Sequence, residues 1–186
     1  MNDRNVRAQR VAERRQQILD AARAAAESGG WAAVTLRHLA DTIGYTQPVI
    51  YSHFPDGKTE IMRHVALGGF AELTKATRAA AADTTGAPAI SAVAEAYLGF
   101  AVAHPALHDA MFQLAIDARF AHDDAEAELQ AGFAALSAAL GEAGTPTTTE
   151  VFWSALHGMS LLERSGRMLP QDRSSRVAEL AARFAG

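Results

Sequence analysis

The chain contains no cysteine, which removes disulfide frameworks, thiolate metal sites and thiol nucleophiles together. Aromatic residues are scarce at 7%, while alanine dominates the apolar share, so helices are favoured over sheets because alanine loses least on entering a helix. No uninterrupted apolar run approaches the roughly 20 residues needed to span a bilayer. The polar, arginine-rich start is not followed by an apolar segment, so neither a membrane span nor an export signal is expected, and a reducing cytoplasm is a compatible setting. No GxSxG elbow, HExxH helix, phosphate-binding loop or dinucleotide fingerprint occurs, and the seven histidines lack a partner pattern for nucleophilic or metal chemistry. His104 and His108 stand four apart beside Asp109, but Pro105 is expected to break the helix that would align them. No enzyme activity, cofactor or metal is therefore expected.

What remains is 186 residues, 49% hydrophobic and 20% charged, which suits one compact all-α unit or two small lobes sharing a core. The net charge of -4 argues against a generic polyanion binder until its distribution is considered. Residues 1–65 hold nine Lys/Arg against seven Asp/Glu, whereas residues 66–186 hold eight against fourteen. Arg4, Arg7, Arg10, Arg14 and Arg15 precede the first strongly apolar stretch, with only Asp3 and Glu13 opposing them. Residues 1–13 read as a basic arm, and arginine content alone would make it a solvated tail.

Apolar spacing predicts about nine helices. Val11, Ile18, Leu19, Ala22 and Ala26 outline the first, ended by Ser28, Gly29 and Gly30. Thr35 can cap a second carrying Leu36, Leu39, Ala40 and Ile43, closed by Gly44. Thr46 can cap a third beginning Gln47-Pro48, where proline is tolerated because first-turn amides lack helical partners. After the turn Phe54-Pro55-Asp56-Gly57, a long helix runs from Lys58 towards Ala82. Further helices follow around Ile90–Ala101, around Leu107–Ile116, from Asp123 and Asp124 to Leu140, across Val151–Leu162, and from Arg173 to Phe184.

Two short helices joined by a tight glycine turn, Leu36 to Ile43 and Gln47 to His53, have the size and punctuation of a helix-turn-helix. The stretch TLRHLADTIGYTQPVIYSHFPDGKTEI, preceded by ILDAARAAAESGG, resembles the N-terminal DNA-binding domain of TetR-family transcriptional regulators over about residues 14–65. Thr35, Leu39-Ala40, Gly44-Tyr45-Thr46, Tyr51, His53, Phe54 and Lys58 carry the likeness. The chain departs from the pattern at Gln47-Pro48 and in the turn Asp56-Gly57, one residue longer than the commoner form.

The resemblance implies a division of labour over double-stranded DNA. Thr35, Arg37, Tyr51, His53 and Lys58 would meet phosphates, and Thr46, Gln47, Pro48 and Val49 would read bases in the major groove. Gln47 can pair with adenine, while Pro48 and Val49 can pack on thymine methyl groups. Leu39, Ile43 and Ile50 read as core; Phe54 reads mainly as core, Tyr51 is open between core and contact, and His53 has the alternative of an ordinary surface histidine. The arginine arm either enters a minor groove or adds nonspecific attraction as a disordered tail.

Residues 66–186 are expected to sense an effector and to pair subunits. The segments HPALHDAMF and FWSALHGMSLLERSGRM resemble the C-terminal domain of a TetR subgroup with a Trp-His-Gly signature, here Trp153, His157 and Gly158. That resemblance implies a homodimer through the last two long helices, with Phe152, Ala155, Leu156, Met159, Leu162, Val177, Leu180 and Phe184 at the interface, matched to a palindromic operator. An effector pocket would draw on Phe70, Tyr97, Phe100, His104, Met111, Phe112, Phe133 and Trp153. The expectation is a cytoplasmic, ligand-responsive repressor without membrane attachment. The rival reading is a helical dimer that binds proteins and not DNA.

Overall fold

The structure is a computed structural model and describes residues 3–112 and 126–185. Among the described residues there are nine α-helices and no strand: α1 Asp3–Ala33, α2 Leu36–Ile43, α3 Gln47–His53, α4 Lys58–Ala81, α5 Ala87–Ala103, α6 Pro105–Phe112, α7 Ala127–Leu140, α8 Pro146–Arg164 and α9 Arg173–Phe184. The all-α expectation holds. Leu114, Ile116, Asp123 and Asp124, expected on helices, lie outside the described residues.

The helix boundaries follow local chemistry. Gly30 leaves helical geometry at φ 74°, so α1 kinks there and only Trp31–Ala33 continue beyond it. The Thr35 hydroxyl accepts a hydrogen bond from the His38 N–H at 3.1 Å, capping α2, and Gly44 ends it in the left-handed region at φ 69°. Thr46 occupies the capping position of α3, but its hydroxyl makes no capping bond. The basic segment expected to be an arm is helical from Asp3 onward.

The chain divides into two units. The first comprises residues 1–67 and 105–117, and the second residues 68–104 and 118–186. In the first, Ile18, Ala22 and Ala26 of α1, Leu39 and Ala40 of α2, Ile50 of α3, Phe54, and Ile61 and Val65 of α4 form the core, with Leu107, Ala110 and Met111 of α6 also buried. The α6 helix belongs to this unit although more than 35 residues separate it from α4's first half. In the second, α5 packs against α7, α8 and α9. Residues 86–103 are apolar and long enough to cross a membrane by length and composition, but Ile90, Val93, Ala94, Tyr97, Leu98 and Ala101 of this stretch are buried in the protein's own core.

Candidate nucleic-acid interface

Helix α3 has only seven residues, too few to persist alone, so its position depends on what grips it from behind. Ile50 and Phe54 are fully buried and form the apolar anchor. The polar anchor is Arg15 of α1. Its guanidinium donates to the His53 carbonyl at the end of α3, lies 4.1 Å from the Phe54 ring centroid, and pairs with Glu60 of α4 at 3.4 Å. It also meets the His64 Nε2. Arginine is always a donor here, so His64 accepts with a neutral ring. Burial and the Arg15 charge hold the His64 imidazole below its ordinary value, with Glu60 opposing them.

The other end of α3 is tied differently. Tyr45, one residue before Thr46, donates its hydroxyl hydrogen to Gln17 Oε1 at 2.7 Å, and the Arg14 guanidinium sits 5.9 Å from its ring centroid. Anchored at both ends, α3 leaves Thr46, Gln47 and Pro48 exposed and Val49 half-buried. Tyr51 is 49% exposed, a large aromatic left in solvent on the same helix. The core alternative therefore applies to Phe54 and not to Tyr51. These exposed groups include an amide, hydroxyls and apolar surface, the set needed to read bases and meet phosphates in a major groove.

The remaining expected contacts are placed unevenly. Thr35 is exposed and holds the α2 N-terminus. Arg37 faces solvent with Asp41 3.9 Å away, an exposed pair weak enough to release the guanidinium to a phosphate. His53 is half-buried, and burial together with Arg14 and Arg15 holds its imidazole below the ordinary value, so at neutral pH it offers an N–H and no full charge. Lys58, expected to meet a phosphate, donates from its Nζ to the Trp31 carbonyl at 2.5 Å. Close to the end of α1 that carbonyl accepts only a long 3.3 Å bond from the Val34 N–H, and the ammonium is its second donor. Lys58 is thus a clamp inside the unit, and any phosphate contact competes with this bond.

Sequence reasoning missed a second clamp. Glu27 of α1 accepts from the Ala106 and Leu107 N–H groups, both at 3.0 Å, capping α6 from 79 and 80 residues away. Trp31 Nε1 donates to the Ala106 carbonyl at 2.7 Å. No local pattern marks Glu27, since it lies inside an ordinary amphipathic helix.

In the second unit, the residues expected to line a pocket are mostly core. Phe70, Tyr97 and Phe100 are buried, and His104, Phe133 and Trp153 are half-buried. Met111 and Phe112 belong to the first unit, so the eight do not lie within one unit. Tyr97 and Trp153 do meet: the Tyr97 hydroxyl accepts from Trp153 Nε1 at 3.2 Å and lies 3.5 Å from His157 Nδ1. Burial pushes the Tyr97 phenol far above its ordinary value, and burial with Arg164 nearby lowers the His157 imidazole. Two members of the Trp-His-Gly signature therefore converge on one neutral, buried tyrosine.

The pairing surface needs correction. Phe152, Leu156, Val177 and Leu180 are buried within the chain, with Phe152 against Phe184 at a ring separation of 5.2 Å. Phe152 and Leu156, with no exposed surface, cannot meet a second subunit, whereas Leu180 borders a surface groove with Met159. The outward stripe of α8 is instead Val151, Ala155, Gly158, Met159 and Leu162, spaced at three and four residues. At the end of that helix, buried Glu163 receives Arg173 at 2.5 Å and Arg176 at 2.7 Å, locking α8 to α9.

Comparison with known proteins settles the family. The model described as bacterial regulatory proteins, tetR family, matches residues 18–65, and the tetracyclin repressor-like C-terminal domain model matches residues 90–184. The chain belongs to the TetR family. An HTH-type transcriptional regulator of Mycobacterium tuberculosis is 27% identical over 179 residues, covering 92% of this chain and 79% of its own length. A protein of unknown function from Rhodococcus sp. RHA1 superposes with a TM-score of 0.74 at 21% identity, over 92% of this chain and 95% of that one. A bacterial regulatory protein in the tetR family from Rhodococcus RHA1 gives 0.63 at 16% identity, over 92% and 96%. This TetR-family chain is accordingly a transcriptional regulator of the DNA-binding type.

Proposed function

We propose that the protein is a homodimeric repressor that grips a palindromic operator through two copies of α3 and releases it when a small molecule binds the second unit. The observation that carries the reading is the leading edge of α3: Thr46, Gln47 and Pro48 stand in solvent, and the Thr46 hydroxyl is not used as a cap. A helix fixed from behind and bare in front suits groove insertion. Gln47 and Val49 would select bases, with Thr35, Arg37, Tyr51 and His53 holding phosphates and Lys58 lending a fixed positive charge. The domain assignment follows: a reading head over residues 14–65, with pairing and effector binding in residues 66–186.

Dimerisation supports this reading because one seven-residue helix touches too few bases for useful selectivity. We assign pairing to the outward stripe of Val151, Ala155, Met159 and Leu162. Tyr97, Trp153 and His157 supply neutral hydrogen-bonding groups on α5 and α8, which suits recognition of a small, weakly charged effector. The effect would travel along the chain by two routes, since α4 crosses from the first unit to the second within its length and α6 follows α5 directly at Pro105.

The test is a gel-shift titration of the duplex upstream of the gene and of duplexes recovered from a random library with the purified protein. A salt-sensitive shift, lowered about 5- to 150-fold by Gln47→Ala on its preferred site, supports the reading. A folded dimer that binds no duplex returns the protein to the rival interaction-module class.

A further inference from the structure

The first turns of α1 carry a positive ridge that makes no ion pair among the described residues. The earliest buried residue of α1 is Ile18, and residues 5–14 are exposed apart from half-buried Val6. About 15 Å of helix therefore extends beyond its own core at 1.5 Å per residue. Its register is informative. Ile18, Ala22 and Ala26 form the buried ridge at four-residue spacing, and continuing that face backwards by steps of four, four and three residues gives Arg14, Arg10 and Arg7, the last of them about three full turns before Ile18. The face that packs on the reading head continues past it with arginine in place of apolar residues.

Arg7 and Arg10 make no ion pair among the described residues, and Glu13, three residues after Arg10, lies off the ridge and receives Gln9 at 2.9 Å. Arg14 joins this ridge to α3, because its guanidinium lies over Tyr45, the residue before Thr46. From Arg7 to Arg14 the helix rises about 10 Å, close to three phosphates at 3.4 Å of duplex axis each.

We infer that the α1 overhang is a second DNA-binding element, a rigid helical rail whose Arg7, Arg10 and Arg14 follow one phosphate strand beside the groove that α3 enters. The inference rests on the DNA-binding reading above and adds to it a contact outside the helix-turn-helix. Because its arginines would meet phosphates beside the groove and not base edges within it, the rail supplies affinity and salt dependence without altering sequence preference.

The test uses the full-length protein, a labelled duplex recovered from a random library with the wild type, and binding measured by anisotropy across a potassium chloride series. Replacing the ridge by Arg7→Gln, Arg10→Gln and Arg14→Gln together preserves helix formation, and is expected to reduce the salt slope by about 2.7, from 0.9 per phosphate contact. Affinity near 0.15 M salt should fall at least tenfold while the preferred sequence is unchanged. Val11→Pro keeps every arginine but breaks the rail, and is expected to lose most of the same affinity, with the thermal unfolding of the head retained. An unchanged slope in the triple variant, or wild-type affinity in Val11→Pro, overturns the rail. So does a triple variant whose only lost ligand is an anionic phosphatidylglycerol vesicle. Failure of the wild type to bind any duplex would instead overturn the function on which the rail rests.

Discussion

In the first unit, Arg15, Glu27, Trp31 and Lys58 each send a side chain to a backbone group or a charge more than 25 residues away. In the second, such reaches are few and the packing of Ile90, Leu98, Phe152 and Leu156 predominates. The difference follows from what each unit must leave uncovered. A reading head that buries the face of α3 cannot read, so its third helix offers only Ile50 and Phe54 to the core, and polar clamps supply the remaining rigidity. The second unit has no such restriction, and its alanine-rich helices approach closely around large apolar side chains. A strong ionic feature of this unit, Glu163 with Arg173 and Arg176, stands where α8 must turn into α9.

The sharpest break of this contrast is Phe54→Ala. The ring is fully buried and carries Arg15 on its face, so truncation should destabilise the first unit by about 3–5 kcal/mol and abolish DNA binding, with calorimetry resolving a transition for the second unit that is little changed.

Next comes Glu163→Gln, which leaves two guanidiniums facing a neutral amide. About 2 kcal/mol should be lost from the second unit, less than for a fully buried pair because both arginines are partly exposed. The same carboxylate sets a pH dependence. Burial alone would raise its pKa, but hydrogen bonds and charge from Arg173 and Arg176 outweigh it and hold it below the ordinary value. Its contribution is then fully present above about pH 4.5 and is lost as the pH falls through the lowered folded value, so acid melts of the wild type should lose stability in this window where Glu163→Gln loses less.

Arg15→Ala should have a smaller effect on folding, about 1–2 kcal/mol, but a disproportionate one on binding, since α3 loses its polar anchor while its apolar anchor stays. Arg15→Lys should not restore binding, because an ammonium cannot serve the His53 carbonyl, Glu60 and the Phe54 face together. Equal restoration by lysine would show that charge alone is needed and would erase the contrast drawn between the units. The smallest effect is expected of Thr35→Ala, about 1 kcal/mol from the lost α2 cap, visible in the thermal midpoint of the first unit.

The helix-turn-helix was legible because its signals are local: Thr35 as a cap, Gly44 as a stop, Pro48 in a first turn, and the motif through Tyr51, His53 and Phe54. Lys58 was legible as a residue but not in its role, since the Trp31 carbonyl it reaches lies 27 residues earlier. On α8, periodicity found the helix but did not separate its faces: Phe152 and Leu156 are buried within the chain, whereas Ala155, Met159 and Leu162 are half-buried. Phe152 and Leu156 share a ridge, as do Val151, Ala155 and Met159, and both ridges are apolar or small enough to be buried.

Alone, the order of residues determined that this protein would be helical, where its short helices begin and end, and which seven-residue segment carries the groove-reading pattern. Those properties depend on neighbours within about four positions. Only the tertiary structure decided that Arg15 and Lys58 are clamps, that Glu27 caps a helix nearly 80 residues on, and that the arginine-rich start is a helix extending past its core. Each of these depends on which distant backbone groups can take a side-chain partner, and that is fixed only once the helices have packed.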